Sequence, residues 1–142
     1  MENNINALNE LNKGCGMGIN ALKLIIPKTK EKNFQNLLKK QLLEYESLSN
    51  RINEIHQEYS TNEMHKTTMM EKVMTWYGIK MDTFLDSSVT KLADLLIQGT
   101  NMGIVEGKKI LNHKTLDKKV HKICSEYIKV QESYLEKLKE FL

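Results

Sequence analysis

Apolar residues along this chain recur at alternating steps of three and four, which lines them up on one face of an α-helix; a strand would need strict alternation. The clearest stretch is Phe34, Leu38, Gln41, Tyr45, Leu48, Ile52, Ile55 and Tyr59, with Lys39, Lys40, Glu46 and Arg51 turned outward. It predicts a helix of about 30 residues, well above the usual length for a globular protein. The last stretch repeats the pattern with Leu116, Val120, Ile123, Tyr127, Val130, Tyr134, Leu138 and Phe141. Near the start, Ile5, Leu8, Leu11, Cys15, Ile19 and Leu22 define a helix from Asn4 to Ile26. Pro27, the one proline, stops it, because its ring and missing N–H cannot continue the hydrogen-bond ladder. Thr29 then stands where a cap for the second helix is wanted.

After Tyr59 the polar run Ser60 to Lys66 reads as a connection. Met70, Val73, Met74, Tyr77, Met81 and Phe84 follow as a shorter amphipathic helix. Asp86, Ser87 or Ser88 can cap a further helix reaching about Asn112, before a turn at Asn112-His113-Lys114. The predicted fold is all-α: an antiparallel four-helix bundle with a short extra helix in the crossover. With 142 residues, 40% of them hydrophobic, the chain suffices for one domain spanning residues 1–142.

The two halves resemble each other. The segment Gly14 to Lys23 can be laid on Gly99 to Lys108 with five of ten positions identical. A shift of 86 then brings Thr29, Lys32, Glu46 and Ser47 onto Thr115, Lys118, Glu132 and Ser133. An internal duplication, about 4–59 and 87–142, is the expectation. Glycine in a helix costs about 1 kcal/mol relative to alanine, so Gly14, Gly18, Gly99, Gly103 and Gly107 at four-residue spacing need a reason. Close helix packing supplies one, since small residues let a neighbouring helix approach. The run Gly-Cys-Gly-Met-Gly has neither the spacing nor the strand-to-helix context of a dinucleotide loop.

Charge narrows the function classes. The net charge of +3 is spread along the chain, and 20 of the 21 basic residues are lysine, with Arg51 the one arginine. Reading bases and clamping phosphates favour a concentrated patch and the rigid guanidinium fork, so no nucleic-acid partner is expected. No apolar run approaches the roughly 20 residues a membrane span needs, so no membrane role is expected. The first residues lack the basic and apolar regions of a secretory leader, and a cytoplasmic location is the expectation. Cys15 and Cys124 have no cysteine neighbour, which leaves out CxxC redox chemistry and zinc knuckles.

Taken together, the Leu8 to Lys23 helix leading into Glu31 to Arg51, the Trp76-Tyr77 helix and the Gln98 to Leu111 helix followed by the last resemble a bacterial family of uncharacterised ferritin-like four-helix-bundle proteins, distantly rubrerythrin-like. That resemblance implies two helical hairpins joined by a long crossover. Di-metal members of the superfamily place a carboxylate on each of two helices and Glu-x-x-His on each of the others. Neither the second nor the last helix here contains Glu-x-x-His, and where a carboxylate would be wanted the first helix offers Gly14, Gly16, Met17 and Gly18 and its equivalent offers Thr100, Asn101 and Met102. Gln41 on the apolar seam, with Glu106 near the corresponding seam, is the nearest approach to an inward polar site, and a hydrogen bond from Gln41 to Tyr45 or Tyr127 explains it more simply.

The expected function is therefore a non-enzymatic structural or interaction module, with no cofactor, no bound metal and no catalytic residues. The competing class is a ferritin-like oxidoreductase or carrier holding a metal or small ligand between helices. Met70, Met74, Trp76, Tyr77 and Met81 make the candidate interaction surface, because methionine adapts its shape to varied partners. A homodimer is the simplest assembly it could serve, and a separate protein partner is the other.

Overall fold

The computed structural model describes residues 2–60 and 88–142, and every regular element among them is helical. Helix α1 (Glu2–Ile25) runs into a 3-10 turn (Ile26–Lys28), then α2 (Lys32–Tyr59), α3 (Val89–His113) and α4 (Lys118–Lys139). The all-α expectation and the four long helices hold. The short helix expected over Met70 to Phe84, with its candidate surface Met70, Met74, Trp76, Tyr77 and Met81, lies outside the described residues.

Local chemistry sets the helix ends. Pro27 sits inside the 3-10 turn, where its missing N–H costs nothing. The capping expectation for Thr29 is corrected: its hydroxyl donates back to the Ile25 carbonyl at 3.1 Å, so it closes the first helix and does not open the second. Glu31 caps α2 instead, its carboxylate accepting from the N–H groups of Asn33 at 3.0 Å and Phe34 at 2.6 Å. Ser88 opens α3, its hydroxyl accepting from the Lys91 N–H at 3.4 Å. Asp117 stands at the head of α4 without capping it. Its carboxylate accepts from the Tyr59 hydroxyl at 2.8 Å, and its own N–H donates to Asn4 Oδ1 at 2.8 Å, tying α1, α2 and α4 together at one end.

Along α2 and α4, Phe34 meets Phe141, Glu44 meets Tyr134, Arg51 meets Glu126 and Tyr59 meets Asp117, so these two helices run in opposite directions. The most extensive packing joins α1 to α2 and α3 to α4. Residues from all four helices share the core, which falls into two apolar clusters. One gathers Leu22, Ile25, Phe34, Leu38 and Leu96, and the other gathers Leu11, Leu48, Ile52, Val120 and Ile123.

Three details of burial depart from the apolar seams. In α1 the buried face is wider than the seam, because Ala7, Met17 and Ala21 are buried while Ile5 and Ile19 are only half-buried. Toward the end of α2 the seam turns to bury His56 and leaves Ile55 half-buried. In α4 the buried residue after Ile128 is Gln131, not Val130.

Candidate functional site

Tyr45 belongs to the first apolar cluster and Tyr127 to the second, and a set of buried amide and hydroxyl groups accompanies them. Gln41 and Tyr45 come from α2, Thr100 from α3, and Tyr127 and Gln131 from α4; none is more than 4% exposed. The spacing of four between Gln41 and Tyr45, and between Tyr127 and Gln131, stacks each pair on one helical face. Gln41 Nε2 donates to the Tyr45 hydroxyl at 3.0 Å, and that hydroxyl donates to Gln131 Oε1. Thr100 lies beside the same hydroxyl and favours its ionised form, and Gln131 does so for Tyr127.

Desolvation outweighs those contacts. Burial raises both phenols well above the ordinary tyrosine range, so the layer carries no charge at neutral pH. The neighbouring thiols are equally unreactive. Burial pushes Cys15 from 9.0 up to about 12, against a small opposing pull from Arg51, and pushes Cys124 up to about 11. A thiol held protonated in this way is a poor nucleophile and a poor metal ligand. Cys124 also donates weakly to the Gly107 carbonyl at 3.7 Å.

Side chains of this layer lie over the glycines. A Cβ at Gly14 would collide with the Tyr127 hydroxyl and lie 3.0 Å from Cζ of that ring. At Gly18 it would lie 2.7 Å from Tyr45 Cε2, and at Gly103 it would lie 2.9 Å from Gln131 Nε2 and 3.0 Å from the Tyr127 hydroxyl. Gly107 makes the same kind of room for Ile128, at 2.7 Å from Cγ1. Gly99 is buried in α3. Tyr127 is thus inserted between Gly14 of α1 and Gly103 of α3.

Gln41 and Glu106 are not brought together. Gln41 is inside, whereas Glu106 is half-exposed, pairs with Lys109 at 3.4 Å and lines an open groove of about 590 Å³ with Asn6, Asn9, Glu10, Ile110 and His113. Sequence reasoning found Gln41 and its tyrosine bond but missed Gln131 and Thr100. The repeat carried a signal for both, since a shift of 86 lays Gln131 on Tyr45 and a shift of 85 lays Thr100 on Cys15, two residues already on predicted seams.

Comparison with known protein families, with curated proteins and with solved structures finds no match to this chain. A di-metal centre of the kind the ferritin resemblance implies does not fit the residues in this interior. Two divalent ions bring about four positive charges, and the buried oxygen donors of Gln41, Tyr45, Thr100, Tyr127 and Gln131 are neutral. Among the described residues no three His, Cys, Asp or Glu side chains are grouped to hold a metal ion, and no helix is long and apolar enough to cross a membrane.

Proposed function

We propose that the chain is a non-enzymatic, ferritin-like antiparallel bundle that serves as a structural or interaction module, built from a duplicated helical hairpin and carrying hydrogen bonds where related folds would carry a di-metal site. The observation behind this reading is the neutral layer itself: phenols and amides joined by Gln41, Tyr45 and Gln131, in a region whose burial keeps the tyrosines protonated. Hydrogen-bonded buried amides fix a unique arrangement of helices but offer no general base, nucleophile or charged ligand. The interval of 86 that separates Tyr45 from Gln131 also separates Glu31 from Asp117, the residues at the heads of α2 and α4, which supports the duplication. The methionine-rich run around Trp76 is the stretch of sequence best suited to self-association, and sedimentation across a wide concentration range tests it.

Anaerobic titration with Fe²⁺ and Mn²⁺ followed by elemental analysis tests the reading. The expected result is no stoichiometric retention of either metal. Retention of two ions per chain would overturn it and restore the oxidoreductase or carrier alternative.

A further inference from the structure

Two of the helix contacts are counterparts. In the first half Tyr45 of α2 lies over Gly18 of α1, where a Cβ would stand 2.7 Å from Cε2 of its ring. In the second half Gln131 of α4 lies over Gly103 of α3, where a Cβ would stand 2.9 Å from its Nε2. The glycines are 85 residues apart and the side chains over them 86, the same intervals that align the halves in sequence. Each hairpin thus carries a glycine seat and a side chain resting in it, large in the first and small in the second.

The hairpins meet through these same side chains, the Tyr45 hydroxyl donating to Gln131 Oε1. A second crossing contact puts Tyr127 of α4 over Gly14 of α1, and the residue of α2 that aligns with Tyr127 is Gln41, again an amide in place of a phenol. Pairing two first hairpins would change both contacts. Two bulky phenols would crowd the space of one ring and one amide, and of their two protons the contact would use only one. Gly14 would face the shorter Gln41 and lose the ring that fills its seat, leaving a void. Pairing two second hairpins would set Gln131 against Gln131, with neither ring nor hydroxyl at the centre.

We propose that the contact between the hairpins selects its partner: it accepts the unlike hairpin and rejects a second copy of the same one, and Tyr45 with Gln131 makes the choice. This rests on the duplicated-hairpin reading, under which like hairpins share a shape and would otherwise compete for one another when two chains meet. Specificity of this kind is built from what an interface refuses as much as from what it binds.

The test uses the full chain with Tyr45→Gln, with Gln131→Tyr and with the exchange of both. Each single variant lowers the thermal midpoint by about 5 °C or more, and the exchange, which restores a ring against an amide, recovers most of the loss. On refolding at high concentration Tyr45→Gln, with amides in every pairing, forms more dimer by sedimentation than the parent. Gln131→Tyr, with phenols in every pairing, forms no more, so lost stability alone is not the cause. Three results would each overturn the proposal: a Gln131→Tyr protein that melts with the parent, equal dimer in Tyr45→Gln and the parent, or equal gains of dimer in both single variants. If Gln131→Tyr fails to fold, the comparison of Tyr45→Gln with the parent decides. An exchange variant no better than its singles, with the dimer yields as expected, would leave the selection standing and count against the duplication alone.

Discussion

Helix α2 carries Gln41 followed one turn later by Tyr45, whereas α4 carries Tyr127 followed one turn later by Gln131. The residue types are the same and their order is reversed. Because α2 and α4 run in opposite directions and positions 86 apart meet at Tyr45 and Gln131, two identical halves would set tyrosine against tyrosine there. The reversal sets a phenol against an amide, so its proton has a carbonyl acceptor and the smaller partner leaves room. The glycine helices differ in a matching way. Gly14 and Gly18 of α1 admit one tyrosine from each half, while Gly103 and Gly107 of α3 admit Gln131, Tyr127 and Ile128 from α4. A repeated sequence has therefore become two unequal surfaces, and the inequality is what fills the centre.

The largest expected effect separates the halves by pH. Cys15 of α1 aligns with Thr100 of α3, so only the first half places a thiol at that position. Burial raises Cys15 from 9.0 to about 12, and a group raised on folding contributes stability that is full below its unfolded value and lost as pH climbs through its folded one. Between pH 9 and 12 this thiol alone removes up to ~4 kcal/mol at about 1.4 kcal/mol per pKa unit. Denaturant melts of the parent and of Cys15→Ala across that range should show the variant losing less stability; parallel curves would contradict it.

Next in size are the glycines. Gly14→Leu and Gly103→Leu should each destabilise by about 1 to 3 kcal/mol or more, since the added side chain meets Tyr127 or Gln131 inside a packed core. Chemical denaturation checks this, and an unchanged midpoint in either would remove that glycine from the account. Tyr45→Phe should cost about 1 to 3 kcal/mol by leaving Gln41 Nε2 and Gln131 Oε1 buried without their partner. The smallest effect belongs to the exposed pair between Arg51 and Glu126, which joins the halves at the surface. A double-mutant cycle there should give about 0.2 to 1 kcal/mol, falling with added salt.

The helices were legible because a period of three and four survives over six or more turns, and Pro27 marks the first boundary without ambiguity. The caps were less so. Thr29 has the residue type for the task, but the carboxylate of Glu31 reaches two N–H groups and the threonine hydroxyl is taken by Ile25. The breadth of the α1 face was missed because Ala7 and Ala21 are too small to register in an apolar pattern, whereas the glycines, legible from their spacing, make the room that the tyrosines fill. Gln131 was overlooked beside the more apolar Val130, since hydropathy ranks a valine inward and does not register the hydrogen bond that makes a buried amide acceptable.

The fit between Gly14 and Tyr127 is measured by a double-mutant cycle of Gly14→Ala with Tyr127→Phe, followed by denaturant unfolding. In an open helix, alanine in place of glycine would stabilise by about 1 kcal/mol. Here its Cβ meets the Tyr127 hydroxyl, so Gly14→Ala should destabilise the parent and cost less once that hydroxyl is removed, with a coupling of about 0.5 to 3 kcal/mol. Stabilisation by Gly14→Ala in both backgrounds, with no coupling, would contradict it.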